Sequence, residues 1–362
     1  MFDQIDLREL AEMTAAERAF LTVYLSGPQA LKALDKRLQQ AEALVRDHRD
    51  EAEHLAENVK RLRDWLENNP PKTGLALFVC WALDFLLAVP LDAPVRDEVI
   101  VDSSPYIRPL AELQDEYETF AVVAADNKRT AIYLVTAATA EAPEQVKGNI
   151  KNHVRKGGWS QQRYERRRDK QLLHYAKEIA ERLAELDRSE PFDRIVMVGS
   201  KETLGEIRNV LPAHLARQVI GEQSLDLKAD RDSIDEQIFE LFFAAEREAE
   251  KQLWERIRGE HLRGGLGAVG AADVLAAAQA GRVEKMVVAR NLQIEGVRCR
   301  ECETLSLGKP DVCPKCGADS LFAVGVVNEI VELLARTGAE ADFVDPLPGL
   351  SEVGGIAALL RY

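Results

Sequence analysis

Residues 147–170 read KGNIKNHVRKGGWSQQRYERRRDK and hold nine Lys or Arg against two acidic side chains, in a chain of formal net charge -14. A local reversal of sign in an acidic chain is where a polyanion makes contact. At its centre stand Gly157 and Gly158, followed by Trp159, Ser160, Gln161 and Gln162. Paired glycines let the backbone take positive φ and come close to another backbone, and the basic groups around them (Lys156, Arg163, Arg166, Arg167, Arg168, Lys170) can hold phosphates. The stretch therefore reads either as a mobile tip presented to RNA or as a glycine turn before a solvated basic helix. The helix that follows has Ser160 as its expected N-cap and repeats Tyr164, Leu172, Ala176, Ile179, Leu183 and Leu186 at helical spacing as far as Pro191. Arg163, Arg166, Arg167 and Lys170 crowd its first turns, where positive charge opposes the helix dipole; bound phosphate would offset that placement.

Working outward, strands at 119–124 and 130–135 flank Asp126-Asn127, which is hairpin chemistry, and RIVMVGS at 194–200 is a buried-strand pattern. A helix near 203–209, a breaker at Pro212, a short strand at 218–220 and a long amphipathic helix at 233–258 follow. Strands alternating with helices predict an α/β layer structure. The cluster Gly264, Gly265, Gly267 and Gly270 reads as a hinge before a helix at 271–280, a strand at 283–289, a helix at 326–336 and a strand at 341–344.

Upstream, FLTVYL at 20–25 reads as a strand. From Leu31 the positions Leu31, Leu34, Leu38, Ala41, Val45, His48, Ala52, Leu55, Val59, Leu62 and Leu66 alternate steps of three and four, a heptad stripe with no glycine or proline from 30 to 69. Unbroken, this helix would reach roughly 55–60 Å; the polar stretch 46–50 offers the alternative of a hairpin. The stripe suits coiled-coil pairing within the chain, a dimer through residues 31–66, or docking onto the strands that follow, with intramolecular packing preferred and His48 read as a packed or register-setting residue. Strands at 75–81 and 85–89, a short one at 99–101 and a helix at 110–118 complete this part.

The whole chain has 362 residues, 46% hydrophobic and 30% charged, which suits two or three globular domains. No apolar run spans a bilayer and no export signal is visible at MFDQIDLREL, so a cytoplasmic location is expected. The acidic total argues against indiscriminate nucleic-acid binding, so an RNA contact should be local. Of five cysteines, Cys80 lies alone in an apolar run and reads as a small buried hydrophobe. The others form Cys299-x2-Cys302 and Cys313-x2-Cys316, ten residues apart, with Pro314 and Gly317 shaping the second turn. Each pair offers two thiolates to one face of a tight turn, and two pairs complete a tetrahedral sulfur site expected to hold a structural Zn2+ with no open position for catalysis.

Three segments together resemble the archaeal and eukaryotic class I peptide-chain release factors with their Pelota and Vms-type relatives, on a bacterial branch. VRKGGWSQQRYERRRDKQLLHYAKEIAERL (154–183) is similar to that family's central Gly-Gly-Gln loop and basic helix, ADVLAAAQAGRVEKMVVARN (272–291) to the opening of its third domain, and VGGIAALLRY (353–362) to its closing strand. The resemblance implies a three-domain α/β architecture: a long N-terminal helical segment with strands at 1–114, a central mixed-sheet α/β domain carrying the Gly-Gly loop at 115–263, and a C-terminal α/β sandwich at 264–362 with an inserted zinc ribbon at 297–320. It implies ribosome-associated release or rescue by hydrolysis of peptidyl-tRNA, with Gly157, Gly158 and Gln161 or Gln162 at the catalytic centre and the basic residues on rRNA. A translational GTPase or an ATPase is the implied partner, and no membrane is. Trp159 stands where the family has its glutamine, which favours a non-enzymatic Pelota-type factor as the alternative. ENVKRL (57–62) stands in place of the family's stop-codon-reading Asn-Ile-Lys-Ser, so release without stop-codon reading is expected.

Overall fold

The structure, a computed structural model, describes residues 6–15, 17–117, 119–136, 139–140, 144–147, 159–224 and 231–362, and of residues 136, 139–140, 144–147, 159–167 and 231–242 the backbone alone. Two compact units form, Met1–Asp115 with Trp254–Tyr362, and Glu116–Leu253.

The first unit begins with helix α1 (Leu7–Glu12), whose N-cap Asp6 accepts the Arg8 N–H at 2.9 Å. Strand β1 (Phe20–Leu25) follows, then helices α2 (Leu31–Val45) and α3 (Arg49–Asn68), strands β2 (Gly74–Cys80), β3 (Phe85–Leu91) and β4 (Glu98–Asp102), and helix α4 (Arg108–Glu116). The strands form an antiparallel sheet of order β3-β2-β1-β4.

The heptad stripe is not one long helix. Residues 46–48 form a turn, and Arg63 of α3 pairs with Asp35 of α2 at 3.0 Å, so the two halves run antiparallel. Folding back lets Leu34, Leu38, Ala41, Val45, Leu55, Val59 and Leu62 all bury against Leu21, Val23, Leu25, Leu75, Leu77 and Val79. A straight helix would carry half of that stripe past the edge of a four-stranded sheet, leaving it in water. His48, expected on the packed stripe, is instead the exposed N-cap residue of α3 with extended backbone (φ -119°, ψ 104°). Its neighbours in the turn are Arg46 and Asp47, which keep the tip hydrated. Cys80 is buried beside Phe20 and Ala19 and packs against Phe85, as a small hydrophobe.

The second unit holds strands β5 (Phe120–Ala125), β6 (Arg129–Thr136), β7 (Thr139–Ala140) and β8 (Glu144–Lys147), helix α5 (Trp159–Ser189), strand β9 (Arg194–Gly199), helices α6 (Lys201–Val210) and α7 (Ala213–Gln218), and strand β10 (Val219–Ser224). Asp126 Oδ1 accepts the Lys128 and Arg129 N–H groups at 2.6 and 2.9 Å, closing the β5–β6 turn. The sheet is mixed: order β10-β9-β5-β6-β7, with β8 also on β6; β10, β9 and β5 are parallel, and β6 is antiparallel to β5. Helices α5, α6 and α7 bury one face, and helix α8 (Arg231–Leu262) places Ala245 against the other.

The rest of the first unit comprises strand β11 (Gly267–Val269), helix α9 (Ala271–Gln279), strands β12 (Val283–Ala289), β13 (Glu295–Cys299), β14 (Leu305–Leu307) and β15 (Leu321–Gly325), helix α10 (Val326–Thr337), and strands β16 (Glu340–Val344) and β17 (Ile356–Leu360). They form two sheets, β11-β17-β12-β16 and β14-β13-β15. Gly267 lies in β11, and a Cβ there would stand 2.3 Å from the Ile257 carbonyl oxygen. This glycine serves close packing under the last turns of α8, so that part of the expected hinge is a strand.

Helix α10 is buried nearly all round, Glu329 and Glu332 included. Its neighbours are the backbone and side chains of residues 102–108: Asn328 Oδ1 accepts the Ile107 and Arg108 N–H groups, each at 3.0 Å, and Ser104 Oγ donates to Glu332 Oε1 at 2.8 Å. The two sequence-distant parts of the first unit thus share a core. Among the described residues no helix is long and apolar enough to cross a membrane.

Candidate functional site

The basic stretch leads into α5, whose 31 residues begin at Trp159. The helix already includes Trp159, so Ser160 lies inside its first turn and is not the cap. Trp159, Gln161, Gln162, Arg163, Arg166 and Arg167 all belong to the first nine helical residues, while Lys156, Gly157 and Gly158 lie outside the described residues. From Leu172 onward the helix is locked down: Leu172, Tyr175, Ala176, Ile179, Ala180, Leu183 and Leu186 pack on Ala121, Val123, Ile132, Ile195 and Met197. Tyr175 and Thr130 share a hydrogen bond of 2.7 Å between hydroxyls. The unit therefore holds the base of α5 rigidly, and the basic turns extend about 20 Å beyond Leu172 at 1.5 Å per residue. Arg168, the first of the described basic side chains, pairs with Glu202 of α6, and Lys170 is exposed.

The second site is a four-cysteine centre. Cys299 ends β13, Cys302 follows in a tight turn closed by Glu303 N–H to Cys299 O at 2.9 Å, and the matching turn closes through Gly317 N–H to Cys313 O at 2.9 Å. Gly317 takes φ 76°, a left-handed value that favours glycine. The four Sγ atoms lie within 4.8 Å of one another, with Cys299–Cys316 at 3.6 Å and Cys302–Cys313 at 3.5 Å. A Zn–S bond of about 2.3 Å in tetrahedral geometry requires sulfurs about 3.8 Å apart, so this donor set fits such an ion.

The thiol chemistry agrees. The Thr304 hydroxyl, 3.2 Å from Cys302 Sγ, and the Thr304 N–H bring the Cys302 thiol down to about 6. The Cys316 N–H holds the Cys313 thiol below its ordinary value. At Cys316 the Ala318 N–H pulls the same way, but the neighbouring sulfurs, Cys302 first, outweigh it and push the thiol up to about 12. Four sulfurs gathered this closely could hold a metal ion among them. Sequence spacing picks out these four residues but misses what surrounds them: Arg298 and Arg300 flank Cys299 and pair with the buried Glu329 and Glu51.

Residues 105–242, spanning the basic stretch and α5, match the family model described as "Bacterial archaeo-eukaryotic release factor family 10". The "Peptide chain release factor subunit 1" of Thermococcus kodakarensis is 25% identical over 337 residues, covering 82% of this chain and 81% of the relative. The protein of the same name from Archaeoglobus fulgidus is 25% identical over 283 residues, covering 72% and 70%. Over these segments the chain is similar to peptide-chain release factors. The structure of S. cerevisiae Dom34, described as a translation termination-like factor, aligns with this chain at 13% identity and a TM-score of 0.43, covering 82% of this chain and 76% of Dom34.

Proposed function

We propose that this chain is a ribosome-associated release or rescue factor that frees the nascent peptide from peptidyl-tRNA on stalled ribosomes or large subunits, without reading a stop codon. The observation that carries the reading is KGGWSQQ at the head of a 31-residue basic helix whose base is buried in an α/β unit. A rigid arm of this kind can deliver a Gly157-Gly158 tip into a narrow rRNA-lined site. Arg163, Arg166, Arg167 and Arg168 hold phosphates there, and Gln161 or Gln162 positions a water against the ester. Catalysis of that sort is orientation, and it needs no acid/base pair from the protein. The four cysteines hold a structural Zn2+, a translational GTPase or ATPase is the partner, and the work is cytoplasmic.

Trp159 favours a second reading, a Pelota-type factor that binds ribosome or tRNA without hydrolysis. It occupies the position after the glycine pair, and the helical placement of Gln161 and Gln162 takes both glutamines off a loop tip. In that case Trp159 stacks on a base, a contact of about 1–3 kcal/mol.

Release of labelled peptide from stalled ribosome–nascent-chain complexes separates the two. Hydrolysis requires release by wild type that falls at least about tenfold in Gln161→Ala or Gln162→Ala. No release by wild type, with salt-sensitive binding weakened in Arg166→Ala and Arg167→Ala, makes the protein a binding factor.

A further inference from the structure

We infer that the four-cysteine ribbon is a clasp, in which metal held by the cysteines fixes Arg300 against the N-terminal helical hairpin. Strand alternation is the starting point. Arg298 and Cys299 end β13 and Arg300 follows directly, so the cysteine joins the sulfur cluster while the arginine on each side reaches a buried carboxylate instead. Arg298 pairs with Glu329 of α10, and Arg300 pairs through Nη1 with Glu51 Oε1 at the start of α3. Glu51 is wholly buried. Its Oε2 accepts from Arg18 Nη2 at 2.7 Å and Nε at 3.0 Å, and its Oε1 accepts the Arg18 N–H at 3.3 Å. The Arg18 and Arg300 guanidiniums both lie over the Phe322 ring of β15, at 5.8 and 5.1 Å from its centroid. Burial alone would raise the Glu51 carboxyl, yet the two guanidiniums hold it below its ordinary value.

This arrangement depends on where Arg300 is held. It sits inside the first Cys-x2-Cys turn, with its N–H donated to Ser320 O at 2.9 Å and the turn closed by Cys299 N–H to Thr304 O at 3.0 Å. Cys299 and Cys313 are buried while Cys302 is half-buried and Cys316 exposed, so the second half of each turn lies at the surface, where a shared ion would tie the two turns together. Losing the ion frees Arg300 and leaves Glu51 with one of its two guanidiniums in a buried setting, the costly way to break such a group. The first turns of α3 should then open while the rest of the fold persists. The clasp stands on geometry within the first unit and is independent of whether the protein hydrolyses peptidyl-tRNA.

Amide hydrogen exchange followed by mass spectrometry tests it, with Zn2+ as the probe. Stripping Zn2+ with a chelator should speed exchange in residues 49–58 by roughly tenfold or more, adding Zn2+ back should restore it, and residues 120–135 should stay unchanged. Arg300→Ala, with zinc content equal to wild type, should reproduce the faster exchange in 49–58, and Arg300→Lys should fall between. Lys315→Ala, an exposed change in the other turn, should do neither. Unchanged protection of 49–58 in zinc-loaded Arg300→Ala overturns the clasp, even if stripping the metal unfolds the whole unit. Faster exchange confined to 295–325 on stripping overturns it as well.

Discussion

Tyr175 of α5, 13 residues beyond Gln162, and Thr130 of β6 join hydroxyls at 2.7 Å, both nearly inaccessible to water. The bond pins the helix to the sheet just past the point where its basic turns end. Tyr175→Phe removes one buried hydrogen bond and leaves the Thr130 hydroxyl to find another partner, a loss of about 1 kcal/mol. Leu183→Ala, one turn pair further into the core, should cost about 2–5 kcal/mol through lost burial and a cavity. Urea denaturation of the two variants checks the order; equal midpoints for Leu183→Ala and wild type would mean that α5 is not anchored there.

The carboxyls between α10 and β4 make stability depend on pH. Burial, and then the Glu329 charge, push Asp102 up to about 7. Burial raises Glu329 as well, and burial with both neighbours raises Glu332 well above its ordinary range; Arg298 and Arg336 face the cluster. A carboxyl whose folded value exceeds its unfolded one keeps a proton in the folded state that the unfolded chain has already released. Stability is then largest below the unfolded value and falls, by order 1 kcal/mol per pH unit, as pH rises from about 4 to 7. Glu51, held low, works in the opposite sense, with its contribution lost only below about 4.5. Asp102→Asn keeps an oxygen for the Ser103 N–H, which now lies 2.7 Å from Asp102 Oδ1. It should stabilise by about 1–3 kcal/mol at pH 8 and change little at pH 5. A wild-type melting temperature that fails to drop between pH 5 and 8 would contradict this.

Much of this was written locally. Strand β1 is read as Phe20–Leu25 from FLTVYL alone, because both its faces are covered and no polar residue interrupts more than once. The stripe of α5 and the cysteine spacing were equally plain, since periodicity and ligand geometry are properties of neighbouring residues. The break at 46–48 was harder: without glycine or proline, only the polar tip distinguished a hairpin from a straight helix, and the heptad register carried through His48 regardless. Nothing in the sequence around Glu51, Glu329 and Glu332 marks them as buried, yet they are. Their partners come from segments up to 249 positions away, where no pattern in the sequence brings them together.

The metal centre predicts its own composition. Elemental analysis should find about one zinc per chain, falling sharply in Cys313→Ser, whose ligand is buried and whose loss leaves three thiols. Because ion binding is coupled to folding of the ribbon, removal by chelator should lower the melting temperature of the first unit by on the order of 5–10 °C. Wild-type protein that purifies without metal and melts identically with added Zn2+ would mean that the four thiols fold the ribbon unaided.

The hairpin of α2 and α3 turns its apolar stripe onto its own sheet. Leu55 is 1% exposed and Leu38 1%, both against β1 and β2, whereas His48 stands in the exposed turn. A coiled-coil dimer through 31–66 would need those leucines on the outside, and pulling them from the sheet would expose the sheet as well. Leu55→Glu should therefore unfold the unit, through a buried charge with no partner, and His48→Glu should be neutral within about 0.5 kcal/mol. Sedimentation mass discriminates the packings: His48→Glu should sediment as wild type does at every concentration. A mass that falls on this one surface change would place the 46–48 turn in a contact between chains.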